Sequence, residues 1–371
     1  MNNKIKASRR TFVKTISYGV GALTLTPALN AIGSCFPKPK GEKLGIALVG
    51  LGGYSTGQLA PALQQTQNCY LAGIVTGTPS KADSWSKQYN IPSENIYNYQ
   101  SFDRIKDNKS IDIVYVVLPV SMHKDFTIRA AKAGKHVICE KPMALKAADC
   151  LEMIAACKLA RVMLSIGYRL HFEPHNQEVM QLGQQRKYGE ILSIDSGNGF
   201  KWGRSSDSWR LKKALSGGGA LMDMGIYAIQ AARYTTGMEP LFVTAKETKT
   251  NSDLFKEVDD TIDWELEFPG GLVARGKSSY SSNLSFLDVK AKEGKFGLGP
   301  AYGYSGIAGY NTKGPMDHPQ VNQQAMQMDD FAHCIANGQR TRVPGEEGWK
   351  DMKIIDAIYR SIASGRKEPI I

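Results

Sequence analysis

The fold is decided by residues 43–55, KLGIALVGLGGYS. The first half is a short apolar run bounded by glycine, which is typical of a buried strand. The second half predicts a tight turn into a helix, because Gly50 permits the turn and Gly52 lets the backbone approach a pyrophosphate. Ser55 stands where a third glycine is expected. A strand, a glycine turn and a helix in this order predict a dinucleotide-binding unit.

Strands and helices continue to alternate after this unit. Apolar runs predict strands over 70–75, 111–118 and 136–140, and polar-apolar periodicity predicts helices to about residue 67 and over 80–89 and 124–133. Such alternation implies a parallel sheet with helices on both faces. We therefore expect residues 43–165 to form an α/β Rossmann domain.

The pattern changes after residue 165. Predicted strands cover 190–202, 242–247, 261–268, 272–279 and 285–291, with Pro269-Gly270-Gly271 as a hairpin turn. Residues 294–314 are rich in Gly and Tyr and predict a loop, and amphipathic helices are expected over 319–337 and 346–364. We expect residues 166–345 to form an α+β domain for substrate and oligomerisation, with a large, mainly antiparallel open sheet. A C-terminal helix and tail, 346–371, follow.

The end of the second strand indicates the cofactor. An NAD site would place Asp or Glu there to accept from the ribose 2′-hydroxyl. Thr76-Gly77-Thr78-Pro79-Ser80-Lys81 has no acid, and Lys81 can meet a 2′-phosphate. NADP(H) is favoured, and a site that accepts either cofactor is the alternative. The predicted cofactor contacts from these segments and the next strand ends are Gly50, Gly52, Gly53, Tyr54, Ser55, Thr76, Gly77, Thr78, Lys81, Pro119, His123, Glu140 and Lys141.

The candidate catalytic residues lie in two distant motifs. Residues 217–227, GGGALMDMGIY, place Asp223 and Tyr227 one turn apart if the segment is helical. A carboxylate and a phenol side by side suit proton transfer to and from a hydroxyl. Lys141 closes the strand that follows Gly134, and ligands bind at this end of parallel strands.

Together these motifs resemble the Gfo/Idh/MocA oxidoreductases over residues 43–371. The resemblance is carried by the glycine turn, Glu140-Lys141-Pro142-Met143, Gly167-Tyr168-Arg169, Trp209-Arg210 and residues 217–227 in this order. Many relatives have histidine where this chain has Tyr227. The Asp-x-x-x-Tyr form and residues 76–81 resemble the glucose–fructose oxidoreductase branch of the family.

The resemblance implies an NADP(H)-dependent sugar oxidoreductase. Lys141, Asp223 and Tyr227 would be catalytic in hydride transfer at an aldose or ketose carbon, with the cofactor retained between turnovers. Arg169 would contact the cofactor, and Trp209 and Arg210 its adenine side. An NAD(P)-dependent glycosidase of the same superfamily is the alternative, and a non-enzymatic NADP-sensing protein is a further one.

The N-terminus predicts export. Residues 8–14, SRRTFVK, form a twin-arginine pattern before a mildly apolar stretch, which indicates a Tat-type signal over 1–34. Cys35 ends a lipobox-like sequence, so a lipid anchor at Cys35 and ordinary cleavage nearby are both open, with a tether over 35–42. We expect a periplasmic protein. Removing the five basic residues of the signal lowers the formal net charge from +11 to +6, which does not indicate nucleic-acid binding.

Metal and disulfide signals are weak. Beyond Cys35 the five cysteines show no metal-ligand spacing, and Pro174 interrupts the helix that would pair His171 with His175. No metal site is predicted. The exposed antiparallel sheet predicts a homodimer or homotetramer. Tyr302, Tyr304 and Tyr310 either stack on sugar or pack the loop.

Overall fold

Two sheets organise the chain. The computed structural model describes residues 42–371, so the predicted Tat-type signal and Cys35 lie outside the described residues. No helix within that range is both long and apolar enough to cross a membrane. The first sheet is parallel and the second is mainly antiparallel, as the sequence pattern predicts.

The first sheet has six strands in the order β3-β2-β1-β4-β5-β6. The strands are β1 Leu44–Val49, β2 Cys69–Val75, β3 Ile96–Tyr97, β4 Ile113–Val116, β5 His136–Cys139 and β6 Leu164–Ile166. All six residues of β1 are buried, because this strand lies in the middle of the sheet and is covered on both faces. The strand order reverses between β1 and β4, and ligands of such sheets bind at the carboxyl ends of the strands at this switch point.

Helices cover both faces of the first sheet. They are α1 Ala60–Leu63, α2 Pro79–Tyr89, α3 His123–Lys132 and α4 Ala147–Leu159. A further helix, α8 Gln323–Asn337, returns from the far end of the chain, and its Met328 and Phe331 share a core with Ile46 and Leu48 of β1. This helix falls within the predicted second domain by sequence position, yet it packs on the first sheet.

The second sheet has nine strands in the order β14-β13-β12-β11-β7-β10-β9-β8-β15. The strands are β7 Ile191–Gly199, β8 Phe242–Thr248, β9 Thr261–Glu267, β10 Val273–Ser279, β11 Leu284–Ala291, β12 Gly294–Leu298, β13 Gly309–Asn311, β14 Gly314–Met316 and β15 Glu368–Pro369. Among these nine strands, only β7 and β10 pair in parallel. Four helices follow from this half of the chain: α5 Pro174–Gln184, α6 Lys213–Ser216, α7 Ile226–Thr236 and α9 Gly345–Ser364. The helices α7 and α9 pack on the sheet, and α5 packs on α7.

The hairpin at Pro269–Gly271 is confirmed, and the loop predicted over 294–314 is confirmed only in its middle, over 299–308. The two ends of that segment form β12 and β13, and β14 begins at its last residue. Glycine lowers strand propensity, but here it is required by close approach, because a Cβ at Gly297 would overlap the carbonyl oxygen of Leu287 on β11. The short strands β3, β6 and β15 carry too few residues to show a period in the sequence.

The five described cysteines are free and buried. Burial raises the pKa of Cys69 and of Cys157 to about 12. A buried thiol with a raised pKa behaves as a small apolar side chain, as the sequence context of Cys69 predicts.

Candidate active site

The glycine turn after β1 is shaped to admit a ligand. Gly50 has φ +98°, and a Cβ there would lie 2.5 Å from the carbonyl oxygen of Val117 at the end of β4. At Gly52 and Gly53 a Cβ would meet no protein atom within 4 Å, although both residues line a cavity. A side chain at either position would therefore occupy the space in which a pyrophosphate approaches the backbone.

Two of the predicted cofactor contacts do not line the cavity. Ser55 is buried, and its Oγ donates a 2.6 Å hydrogen bond to the carbonyl oxygen of Gly50, so it stabilises the turn without facing the cavity. A Cβ at Gly77 would lie 2.8 Å from the ring of Tyr99, which does line the cavity. Gly77 makes room for that ring, a role that depends on a residue distant in the sequence.

The end of β2 presents hydroxyl and ammonium groups. Thr76, Thr78 and Lys81 line the cavity, and the Lys81 Nζ donates to the carbonyl oxygen of Leu51 at 3.0 Å. That hydrogen bond joins the first turn of α2 to the glycine turn. The ammonium group therefore lies beside the expected phosphate position, where an NAD site would have a carboxylate.

Pro119 and His123 follow β4 and line the same cavity. The buried His123 ring lies between two carbonyl oxygens, with Nδ1 2.9 Å from Pro142 O and Nε2 2.8 Å from Leu118 O. Burial lowers the pKa of His123. Both ring nitrogens are engaged by the backbone, so His123 holds the turn after β5 against the end of β4.

Glu140 is a buried carboxylate at the end of β5. Its Oε1 accepts from the Tyr115 hydroxyl at 2.7 Å, and its Oε2 accepts from the Lys141 backbone N–H at 3.2 Å. Burial raises the pKa of Glu140, and its neighbours, Tyr115 first, offset this only in part. A Cβ at Gly167 would overlap the carboxylate, which explains the glycine of the Gly167-Tyr168-Arg169 motif.

Lys141 reaches across to both other predicted catalytic residues. Its Nζ donates to the backbone oxygen of Asp223 at 2.6 Å, lies 3.6 Å from Asp223 Oδ1, and stands 4.7 Å from the centroid of the Tyr227 ring. The Lys141–Pro142 peptide bond is cis. Residues separated by more than 80 positions in the sequence therefore form one cluster.

The Asp223 carboxylate is surrounded by donors. Oδ2 accepts from Arg210 Nε at 3.2 Å and from the Tyr280 hydroxyl at 3.1 Å. Burial alone would raise the pKa of Asp223, but the charges of Lys141, Arg210 and Arg204 outweigh it and lower the pKa below its ordinary value. Asp223 is therefore an ionised hydrogen-bond acceptor at neutral pH.

The Asp223 contact fixes the position of Arg210. Arg210 donates to Asp223 beside Lys141 at the end of β5, three strands from the end of β2 in the sheet. The expected contact of Arg210 with the adenine side of the cofactor stays a prediction. Trp209 lines the cavity, and the Arg210 guanidinium lies 4.5 Å from its ring centroid.

The three glycines of 217–219 allow the catalytic segment to pack. Gly217 has φ +82°, and a Cβ at Gly218 would overlap the Tyr359 hydroxyl. The buried Asp259 carboxylate accepts from Gly219 N, Leu221 N and the Tyr359 hydroxyl, each at 2.7 Å. This carboxylate satisfies the free N–H groups at the helix start.

The helix that carries Asp223 and Tyr227 is irregular. It begins as a π-helix over Leu221–Gly225 and continues as α7. The segment is therefore helical, as the spacing of Asp223 and Tyr227 requires, although its first turn is π-helical, and both side chains contact Lys141. π-Helical turns are frequent at functional sites.

Arg169 fixes a tyrosine-rich wall. Its guanidinium donates to Tyr302 O at 2.6 Å, to Gly303 O at 2.9 Å and to Gln323 Oε1. It also lies 5.2 Å from the Tyr227 ring centroid and 4.5 Å from that of Tyr304.

Tyr304 in turn stacks on Tyr54 of the glycine turn, with ring centroids 5.8 Å apart. Tyr310 lies elsewhere, bonded to Asp288.

These elements enclose a cavity of about 530 Å³. The predicted residues that line it are Gly50, Gly52, Gly53, Tyr54, Thr76, Thr78, Lys81, Pro119, His123, Glu140, Lys141, Arg169, Trp209, Arg210, Asp223 and Tyr227. Sequence reasoning missed Tyr280, Asp259 and Tyr359, which support Asp223 or its helix. Among residues 42–371 no group of three or more His, Cys, Asp and Glu side chains is placed to hold a metal ion.

The comparison with known proteins agrees with this arrangement. Residues 44–168 match the Gfo/Idh/MocA oxidoreductase family model with an NAD-binding Rossmann fold, and residues 176–293 match the Gfo/Idh/MocA C-terminal domain. The chain belongs to the Gfo/Idh/MocA oxidoreductase family. Its parallel sheet with the glycine turn is the Rossmann half of that family's fold.

A structure of aldose-aldose oxidoreductase from Caulobacter crescentus, complexed with glycerol, is similar to this Gfo/Idh/MocA protein. The TM-score is 0.86 at 44% identity, covering 88% of this chain and 100% of that chain. D-xylose 1-dehydrogenase [NADP(+)] from Haloarcula marismortui is 27% identical over 324 residues, 85% of this chain and 90% of its own. D-xylose 1-dehydrogenase (NADP(+)) 2 from Haloferax volcanii is 27% identical over 327 residues, 86% of this chain and 97% of its own.

Proposed function

We propose that this Gfo/Idh/MocA protein is an NADP(H)-dependent oxidoreductase that acts on a CH–OH group of a sugar. The observation that carries the proposal is the cluster of Lys141, Asp223 and Tyr227 in the cavity that begins at the glycine turn. The similarity to an aldose-aldose oxidoreductase and to two NADP-dependent xylose dehydrogenases supports a sugar substrate.

NADP(H) is the cofactor that the residues at the end of β2 fit. The glycine turn leaves room for a pyrophosphate, and Thr76, Thr78 and Lys81 provide donors for a 2′-phosphate. A carboxylate at this position would repel that phosphate, and none is present between Thr76 and Lys81. When bound, the nicotinamide accepts or returns a hydride.

The three side chains of the cluster have different roles in the reaction. Tyr227 in its phenolate form takes the proton from the reacting hydroxyl, and as a phenol it gives the proton back in the reverse direction. Lys141, held by Asp223, orients that hydroxyl and stabilises negative charge on its oxygen. Asp223 is kept ionised by its cationic neighbours and accepts hydrogen bonds from sugar hydroxyls.

Export and cofactor retention belong together in this proposal. The twin-arginine pattern implies transport of the folded protein to the periplasm, with Cys35 as a candidate lipid anchor. Free NADP(H) is scarce there, so a nucleotide loaded before export has to be recycled by a second sugar. Tyr304 stacks on Tyr54 of the glycine turn, and we expect this contact to slow release of a bound nucleotide.

A homodimer or homotetramer is the proposed assembly. The helices α7 and α9 cover one face of the nine-stranded sheet. On this sheet Phe242 of β8 is 40% exposed, and it alternates with the buried Val243. Sheet-to-sheet contact between copies would bury such side chains.

The proposal is tested on the purified mature protein. Nucleotide released by a denaturant at neutral pH is identified chromatographically. A separate sample of the intact holoenzyme is mixed with an aldose and afterwards with a ketose while NADPH fluorescence is followed. We expect NADP(H) in near-stoichiometric amount, a rise with the first sugar and a fall with the second. No bound or bindable nucleotide and no signal with any sugar would refute the function, and cleavage of an aryl glycoside without net redox change would support the glycosidase alternative.

A further inference from the structure

The wall of the cavity beside Asp223 is unusually basic. Residues 200–213, FKWGRSSDSWRLKK, contain five basic side chains and one acidic side chain, Asp207. Four of these fourteen residues line the cavity, namely Phe200, Arg204, Trp209 and Arg210. The basic composition of the segment therefore extends into the cavity that holds the proposed catalytic cluster.

The two arginines are held in place by aromatic rings. The Arg210 guanidinium lies 4.5 Å from the Trp209 ring centroid, and that of Arg204 lies 4.9 Å from the Phe200 ring centroid. Stacking fixes the planar group while leaving its N–H donors directed outward. Arg210 uses one donor on Asp223, whereas Arg204 forms no hydrogen bond or ion pair with any of the residues 42–371.

Positive charge exceeds negative charge at this end of the cavity. The lining contains two carboxylates, Glu140 and Asp223, and Glu140 is engaged by Tyr115 behind the cluster. Asp223 alone faces Lys141, Arg204 and Arg210. All three cations lower the pKa of Asp223, so their charges lie within range of that carboxylate. Arg204 is an exposed residue that lines the cavity, and a guanidinium without a carboxylate partner can bind an anionic ligand there.

The cofactor does not account for this surplus. The expected phosphate positions lie at the glycine turn and beside Lys81, at the carboxyl ends of β1 and β2. Arg210 and Lys141 meet at Asp223, next to the end of β5. Strands of a sheet are about 4.8 Å apart, so the end of β5 lies roughly 10 Å from the end of β1 and roughly 14 Å from the end of β2. The cations near Asp223 therefore face the substrate.

We infer that the substrate is an acidic aldose, a uronic acid whose carboxylate binds Arg204 while its anomeric hydroxyl faces Tyr227 and Lys141. This inference rests on the proposed function and names its substrate class. A uronic acid carries its carboxylate at the opposite end of the carbon chain from the anomeric carbon, so one molecule can satisfy both parts of the site. Oxidation at the anomeric carbon would pass the hydride to a bound nicotinamide and the hydroxyl proton to the phenolate form of Tyr227, and the product is the lactone of the sugar diacid.

The test compares D-glucuronate with D-glucose on the holoenzyme. We expect kcat/KM for glucuronate to exceed that for glucose by about tenfold or more, the value of one charge-assisted hydrogen bond. Arg204→Gln should remove most of this advantage, because it should raise KM for glucuronate by a much larger factor than KM for glucose. Added salt should raise KM for glucuronate and leave KM for glucose unchanged.

The matched control is Lys201→Gln, which removes a positive charge from the same segment at an exposed residue that does not line the cavity. It should leave both substrates unaffected. Equal kcat/KM for glucose and glucuronate, with no effect of Arg204→Gln, would overturn the acidic substrate and leave the proposed function standing. Preference for glucose 6-phosphate over glucuronate would overturn the carboxylate assignment. Turnover of no sugar at all would instead refute the proposed function.

Discussion

Asp259→Asn is expected to loosen the start of the catalytic helix. The native carboxylate accepts three hydrogen bonds of 2.7 Å, two from the backbone N–H groups of Gly219 and Leu221 and one from Tyr359. The amide of Asn keeps one acceptor oxygen, but its NH₂ group must face a buried N–H. One charge-assisted hydrogen bond is lost and one donor is left unsatisfied, which costs about 2–4 kcal/mol of unfolding free energy.

The same change should reduce turnover, because Asp223 follows Leu221 by two residues. The assays are urea unfolding followed by circular dichroism, and kcat of the holoenzyme. The matched control is Asp263→Asn on β9, whose carboxylate contacts only the exposed Lys277 among residues 42–371, so the expected loss is below about 0.5 kcal/mol. Tyr359→Phe removes one donor without adding another and should cost about 1 kcal/mol. Equal unfolding free energies for the Asp259 and Asp263 variants would refute the role of Asp259 as a helix cap.

Further substitutions and conditions test other parts of the site. Tyr227→Phe keeps the ring beside Lys141 and removes the hydroxyl, so kcat should fall by about 10²-fold or more while nucleotide affinity is unchanged; turnover at the wild-type rate would contradict proton transfer by Tyr227. Lys81→Glu should weaken NADP binding by about tenfold or more relative to NAD, measured by fluorescence titration, and an unchanged ratio would remove Lys81 from the phosphate site. The pKa of Asp223 is lower in the folded than in the unfolded protein, so its charge stabilises the fold above the unfolded-state pKa, about 4. This stabilisation is lost as the pH falls through the folded-state pKa. The difference in unfolding free energy between wild type and Asp223→Asn should therefore shrink in acid. Burial raises the pKa of Cys69 and Cys157 to about 12, so an aromatic disulfide reagent at pH about 8 should label these thiols only after denaturation.

Local patterns were enough to predict the Rossmann half of the fold. The strands β1, β2, β4 and β5 are short apolar runs next to glycine or a helix start, and the glycine turn follows β1 directly, whereas β3 and β6 are too short to show a pattern. The segment 294–314 could not be predicted in the same way. Its strands depend on pairing with β11 and on glycine where backbones approach closely, and both conditions arise only in the folded chain.

In the candidate site, too, local motifs could be predicted and long-range contacts could not. Lys141, Asp223 and Tyr227 lie in motifs with a recognisable order, and the structure brings them together. Asp259 and Tyr280 are ordinary residues of the second sheet region, and their contacts with the catalytic helix and with Asp223 span 38 and 57 positions. No local spacing marks such contacts.

Transfer of deuterium from sugar to nucleotide tests the central proposal most directly. The holoenzyme is mixed in a single turnover with an aldose deuterated at C1, and the released nucleotide is analysed by mass spectrometry and NMR. We predict one deuterium at C4 of NADPH in the wild type and none in the Tyr227→Phe variant within the same time. Oxidised nucleotide without deuterium in the wild type, or equal transfer in the variant, would contradict hydride transfer from sugar by this cluster.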